Sequence, residues 1–254
     1  MRPKILFISP RFLFPMDQGG RIRTVNILRQ MKGGSFELIL ASPVPQDAAR
    51  YTTEVAETCD RFLSWPQPRI GPFGKILALT SPLPFSIATD RCKAGRRLIA
   101  GVLAEQPDIV LVDFPHAAVL LPEGSITGTS VIFTHNIEAE ILERHVQVAR
   151  WPMRSLWRSQ ATKMRKFEGE TLRRFDATIA VSARDADGLA RQYGITQTAS
   201  IDTGIDLNFF SYSPPEPAPA GGGRLVFSGA MDSHSNIDGV RWLAEAVWPH
   251  IAAK

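Results

Sequence analysis

The sequence predicts an α/β protein built on a doubly wound parallel sheet. Short β-branched and apolar runs alternate with helix-length periodic segments along most of the chain. Most of the strand runs are almost continuously apolar, as strands covered on both faces must be. The composition, 44% hydrophobic and 21% charged over 254 residues, is that of an ordinary globular chain long enough for one large domain or two small ones.

The elements follow in order. The apolar run Ile5-Leu6-Phe7-Ile8 marks a first strand from Lys4 to Ser9, and further strands are expected at Phe36 to Ala41, Arg61 to Trp65, Asp108 to Val112, Ser130 to Thr134, Asp176 to Val181 and Thr198 to Asp202. Between them, helical periodicity predicts helices at Arg21 to Met31, Gln46 to Glu57, Arg91 to Glu105, Glu138 to Val146, Arg154 to Arg174 and Ala183 to Tyr193. The last of these starts with a capping box, Ser182-Ala183-Arg184-Asp185. A Pro/Gly-rich linker runs from Ser213 to Gly223. It is followed by one strand pattern, Arg224 to Ser228, and one helix pattern, Asn236 to Ile251. That tail is too small to bury a core of its own. The organisation expected is therefore a first domain over 1–210, a linker over 211–223, and the opening of a second, truncated domain over 224–254. No internal repeat is evident.

The net charge of +4 and a pI near 9.3 favour anionic partners such as phosphates or an acidic membrane surface, and nucleic acid is not expected. Cys59 and Cys92 stand far apart and outside metal-type spacing, so they read as reduced thiols of a cytosolic protein. The first apolar run is shorter than a signal peptide requires, and no long apolar stretch occurs elsewhere. A cytoplasmic protein is expected, with peripheral contact at the inner face of the cell membrane as a further reading.

In doubly wound sheets, ligands bind outside the carboxyl ends of the strands. The residues to search are therefore Pro10 to Gly20, Asp113 to His116, His135 to Glu138, Ser182 and Thr203 to Asp206. Gly19 and Gly20 precede Arg21 and open a helix, which suits close approach of an anionic group to free N–H donors, with Arg21 and Arg23 adding charge. A flexible turn is the alternative. Neither GxGxxG nor a P-loop is present, which disfavours a nicotinamide cofactor or an ATPase. His135 and Asn136 follow a strand and precede Glu138, an arrangement fit for hydrogen bonding to a sugar or for proton transfer; a helix-capping role is the alternative. His116 reads as structural, as does Asp185-Ala186-Asp187, an acidic first helical turn superficially like a metal-binding DxD. The helix at Arg154 to Arg174 is basic and amphipathic, and Pro66 to Ala88 reads as a long apolar loop. Either could meet a membrane or a hydrophobic acceptor, and ordinary packing is the alternative for both.

The segments PRFLFPMDQGGRIRTVNIL (Pro10 to Leu28), FTHNIE (Phe133 to Glu138), AVS (Ala180 to Ser182), IDTGID (Ile201 to Asp206) and VFSGAMDSHSNIDGVRWL (Val226 to Leu243) together resemble the GT-B-fold glycosyltransferases of family 4, in particular the exopolysaccharide type. The resemblance implies an acceptor-side Rossmann-like domain, then a donor-binding one, and retaining transfer from a nucleotide sugar to a glycan or lipid-linked acceptor. It implies neither metal nor cofactor. By the same resemblance Gly19 and Gly20 approach the donor diphosphate, and His135 contacts the donor sugar with Asn136 and Glu138 beside it. Gly204 and Asp206 lie where the family usually reads Pro-Asn-Gly-Val-Asp; here Asp202-Thr203 replaces Pro-Asn. Gly229 and Asn236 match the first strand-to-helix turn of the donor domain. The cations and glutamates that the family places further along lie beyond Lys254, so little or no transfer is expected of these residues alone. Two alternatives remain: a nucleotide-sugar 2-epimerase of the same fold, and a non-catalytic acceptor-binding or scaffolding subunit with a separate donor-domain partner. Val240, Trp242, Leu243, Val247 and Trp248 would then form an apolar face needing that partner.

Overall fold

A computed structural model describes residues 2–207, 210–214, 225–231 and 234–252. Seven strands form one parallel sheet: β1 (Lys4–Ile8), β2 (Glu37–Val44), β3 (Arg61–Pro66), β4 (Ile109–Asp113), β5 (Thr129–Thr134), β6 (Ala177–Ala180) and β7 (Thr198–Ser200), in the order β3-β2-β1-β4-β5-β6-β7. The order reverses between β1 and β4. This is the switch point at which the loops after two neighbouring strands diverge and leave a crevice. The fold is α/β and Rossmann-like, as the strand pattern predicts, and each of the seven predicted strands is present.

Strand residues alternate between two buried faces. Leu6, Ile8, Val110, Val112 and Ile132 pack on one face with Ile99 and Val102 of α5 (Lys93–Leu103), Leu172 of α8 (Met153–Leu172) and Leu189 of α9 (Ala183–Tyr193). Ile5, Phe7, Leu38 and Leu40 pack on the other with Val25 and Leu28 of α1 (Gly19–Met31) and Val55 of α2 (Thr52–Thr58). Burial of each such side chain contributes roughly 1.5–3 kcal/mol, so this double cover is what makes a polar-free strand favourable. Strand β2 runs three residues beyond the predicted Ala41. Past that residue it pairs with β3 alone, the setting in which a strand proline such as Pro43 is tolerated.

The segment Pro66 to Ala88 is not a loop. It forms α3 (Pro72–Thr80) and α4 (Phe85–Asp90). The prolines that read as breakers stand at helix starts: Pro72 occupies the first turn of α3, where its missing N–H costs nothing, and Pro84 directly precedes α4. A short helix α6 (Phe114–Ala117) follows β4, and α7 (Glu138–Val148) follows β5. The predicted capping box is formed: Ser182 Oγ accepts from the Asp185 backbone N–H at 3.1 Å, and Gly194 closes α9 in the left-handed region.

The chain divides into two compact units, Met1–Gly204 and Ile205–Lys254. In the second, Leu225 to Ser228 forms no strand, whereas the helix pattern is realised as α10 (His234–Trp242), a π-helical turn Leu243–Val247, and α11 (Trp248–Ala252). A strand needs a neighbour to take up its N–H and C=O groups, and among the described residues nothing pairs with this one. Most of the linker, 215–223, lies outside the described residues.

Candidate functional site

The register of β4 against β5 sets Asp113 beside Phe133 at the carboxyl edge of the sheet, and His135 emerges two residues further on. His135 Nε2 lies 2.8 Å from Asp113 Oδ1, and both side chains are buried. An ionised carboxylate only accepts, so Nε2–H donates to it and Nδ1 lies on the other side of the ring. Thr24 in α1 donates its hydroxyl to Asp113 Oδ2 at 3.2 Å. The ring of Phe114 stacks on the imidazole with centroids 3.8 Å apart and planes 2° from parallel, and Phe133 meets it edge-on at 4.9 Å. Phe114 holds this position with φ of 68°, a left-handed backbone unfavourable for a bulky residue. The imidazole is thus fixed in position and tautomer by three neighbours.

Nδ1 faces α1. A Cβ placed on Gly20 would sit 3.9 Å from His135 Nδ1 and 3.8 Å from Phe114 Cζ, while one on Gly19 would meet nothing within 4 Å. Gln18, at the helix start, makes no side-chain cap. The first backbone N–H groups of α1 therefore have no side-chain cap, and the positive end of the 13-residue helix lies next to His135. The neighbouring helix starts differ. Glu168, fully buried in α8, accepts from the N–H groups of Glu138 at 2.9 Å and Ala139 at 3.3 Å, so α7 has its first-turn donors satisfied from within; Ser182 does the same for α9. Of these three helix starts, α1 keeps its donors available for an anion.

Arg21 and Arg23 part company. Arg21 Nη1 donates to Asp17 Oδ1 at 2.9 Å and to the Pro15 carbonyl, on the outer side of the β1–α1 loop. Arg23 is buried, with its guanidinium 4.3 Å above the Phe133 ring, and Nη2 donates to the carbonyl of Ile201. Burial lowers its pKa from the ordinary value, opposed by the charges of Asp113 and Asp202. Its Nη1 is buried without a hydrogen-bond partner. A cationic donor left unsatisfied beside a helix N-terminus is costly unless something anionic occupies the site.

Asn136 is exposed. Glu138 lies against Glu168, and desolvation first, then the neighbouring charge, raise its pKa to about 7. Desolvation also raises Glu168, while Tyr193 donates its hydroxyl to it at 2.6 Å. His116 is partly buried, with a pKa lowered to about 4 by desolvation and by Arg11. Gly204 ends the first unit, three residues after the carbonyl that receives Arg23. Asp206, Gly229 and Asn236 belong to the second unit, where Asn236 Nδ2 donates to the Ala230 carbonyl at 2.8 Å, beside Gly229. The sequence reading missed Asp113 as a partner for His135 and gave Arg23 no place apart from Arg21. Its available signal was the order of strands, which makes β4 and β5 neighbours.

A Rossmann-like sheet with an uncapped helix N-terminus, a fixed histidine and a buried arginine near its switch point defines the class as a doubly wound α/β protein. A family model described as Glycosyltransferase Family 4 matches residues 19–209, which include every residue of this crevice from Gly19 to Ile201. The chain belongs to glycosyltransferase family 4. No curated protein matches it. Among solved structures it is similar to sucrose-phosphate synthase from Thermosynechococcus elongatus (TM-score 0.45, 10% identity, 82% of this chain and 92% of that one). It is also similar to the N-terminal domain of Candida albicans trehalose-6-phosphate phosphatase (0.46, 10%, 82% and 50%) and to an Arabidopsis thaliana UGT solved with UDP (0.37, 14%, 96% and 56%). The chain spans about half the length of these last two.

Proposed function

We propose that the carboxyl edge of the sheet is one wall of the cleft of a retaining glycosyltransferase, and that it receives a nucleotide sugar with its diphosphate at the start of α1. The observation that carries this reading is the uncapped start of α1 at Gly20, where a Cβ would lie 3.9 Å from Nδ1 of a His135 ring held by Asp113. The helix start and Arg23 suit phosphate oxygens. His135 suits a hydroxyl of the transferred sugar, which it can bind without shedding a proton to solvent. Asp113 holds that ring in place, a positioning role rather than a chemical one. In this reading Gly204, Asp206, Gly229 and Asn236 serve donor or acceptor binding, and the reaction needs neither metal nor cofactor.

The acceptor, a glycan or lipid-linked sugar of cell-surface or exopolysaccharide synthesis, we assign to a cleft of about 420 Å³ next to the same edge, lined among others by Arg11, Gln67, Lys75, Phe85 and Asp90.

The test is a titration of the ¹⁵N-labelled protein with UDP-glucose and GDP-mannose. Shifts at the amides of Gly19, Gly20 and Arg21 and at the His135 ring are expected. Absence of shifts there at millimolar ligand, or shifts confined to other surfaces, would overturn the assignment. For the complete enzyme, the anomeric configuration of the product read by ¹H NMR tests retention, and product formed without acceptor would favour the epimerase reading.

A further inference from the structure

Helix α3 is apolar around its circumference yet covered by almost nothing. Phe73 is 80%, Ile76 62% and Leu77 63% exposed, and only Ala78 of its residues is buried. A nine-residue helix does not hold its form through propensity, and a helix hydrophobic on all sides normally lies inside something. The middle of α8 lies against this segment, where Lys163 Nζ donates to the Leu79 carbonyl at 3.0 Å and Gln160 accepts from the Phe85 N–H at 2.7 Å. Two to three turns earlier, at the start of α8, Trp151 is 82% exposed, next to the exposed Val148 and Met153.

The charge around these apolar groups is of one sign. No Asp or Glu occurs from Arg61 to Thr89, nor from Arg144 to Phe167, and these are the two segments that the contacts bring together. Arg61, Arg144, Arg165 and Lys166 have acidic partners elsewhere. Arg69, Lys75, Arg150, Arg154, Arg158 and Lys163 form no ion pair among the described residues. A second copy of the chain would bring six such charges against six of the same sign, which disfavours self-association. Apolar side chains that stand clear of the surface, ringed by uncompensated cations, match a bilayer whose headgroups are anionic and whose interior begins a few ångströms below them.

We propose that α3 and the α7–α8 corner dock on an anionic lipid bilayer, with Phe73, Ile76, Leu77 and Trp151 entering the interface and the six cations meeting the headgroups. The site shares neither His135 nor α1 with the donor reading, while Lys75 borders both it and the cleft assigned to the acceptor.

The experiment is co-sedimentation of the whole chain with vesicles of phosphatidylcholine alone and of phosphatidylcholine with phosphatidylglycerol. Binding to the mixed vesicles, weakened by added salt and lost on phosphatidylcholine alone, is expected. The variants Phe73→Ser/Ile76→Ser and Arg154→Glu/Arg158→Glu should each lower partitioning by at least about tenfold with an unchanged circular dichroism spectrum, because each basic residue near such a surface contributes severalfold to affinity. No binding by the parent chain, or binding that neither variant alters, would overturn the proposal. So would a dimer in sedimentation velocity that Phe73→Ser/Ile76→Ser abolishes, since a second copy would then be what covers α3.

Discussion

Replacing Glu138 by Gln should stabilise the protein at pH 8 and leave it unchanged at pH 4. The pKa of Glu138 rises from an unfolded value of 4.5 to about 7 in the folded chain, through desolvation and then through Glu168. Between those values the folded state binds more protons than the unfolded state, so stability falls as pH rises from 4.5 to about 7 and stays reduced above. At about 1.4 kcal/mol per pH unit the shift corresponds to at most ~3.5 kcal/mol. Glu138 retains some solvent access and shares the effect with Glu168, and a charge in the first turn of α7 also gains from the helix dipole. The net penalty is then about 1–2 kcal/mol. Gln is nearly isosteric with the protonated acid and carries no charge at any pH. Urea unfolding of both proteins at the two pH values measures the difference directly. An advantage for Glu138→Gln that is equal at pH 4 and pH 8, or a loss at pH 8, would refute the placement of two repelling carboxylates here.

Three further outcomes follow from the same coordinates. Glu168→Ala leaves the Glu138 and Ala139 N–H groups and the Tyr193 hydroxyl without their acceptor, so a loss of about 3 kcal/mol or more is expected in urea unfolding, with Glu168→Gln losing less. Gly20→Ala should bind UDP like the parent, because its Cβ makes only ordinary contacts at 3.8 and 3.9 Å, whereas Gly20→Trp should abolish binding in calorimetry without changing the unfolding midpoint. Asp113→Asn weakens a charge-assisted bond to His135 worth roughly 1.5–3 kcal/mol, so transfer by the complete enzyme should fall about tenfold to a hundredfold in kcat with KM for donor little changed.

The sheet was legible because period and burial coincide: Leu6, Ile8, Ile39 and Ile132 are apolar since both faces of their strands are covered, and that pattern needs no knowledge of partners. The helices at 72–80 and 85–90 were illegible because proline signals a break without saying on which side of it a helix lies. At the site, His135 and the two glycines show in the sequence since residue type and position after a strand suffice to mark them. Asp113 does not, because its meaning depends on β4 lying beside β5, a pairing between segments that start at Ile109 and Thr129. Arg23 was hidden for another reason. It stands two residues from Arg21 on the same helix, and an arginine there reads as surface charge until its stacking on Phe133 is seen.

The two ends of the sheet treat their polar groups in opposite ways, and the contrast supports placing function at one of them. At the amino ends of the strands, backbone donors are satisfied by carboxylates supplied from neighbouring connections: Asp108 accepts from Lys4 N, Asp60 from Leu38 N and Asp176 from Ser130 N, each within 2.8 Å. Each of those bonds offsets the desolvation of a strand end and does nothing else visible. At the carboxyl ends, the first turn of α1 goes uncapped, Arg23 keeps an orphaned buried nitrogen, Phe114 sits at a positive φ, and Glu138 is held beside another carboxylate. Any one of these would be an ordinary imperfection. Together, on one edge and around the switch point, they cost stability that a chain selected for stability alone would recover by a capping serine at Gln18 or a glycine at Phe114. A ligand that supplies anionic oxygens at the start of α1 and beside Arg23 removes two of the four costs on binding, which is why its affinity should exceed what the open, shallow crevice offers by contact area alone.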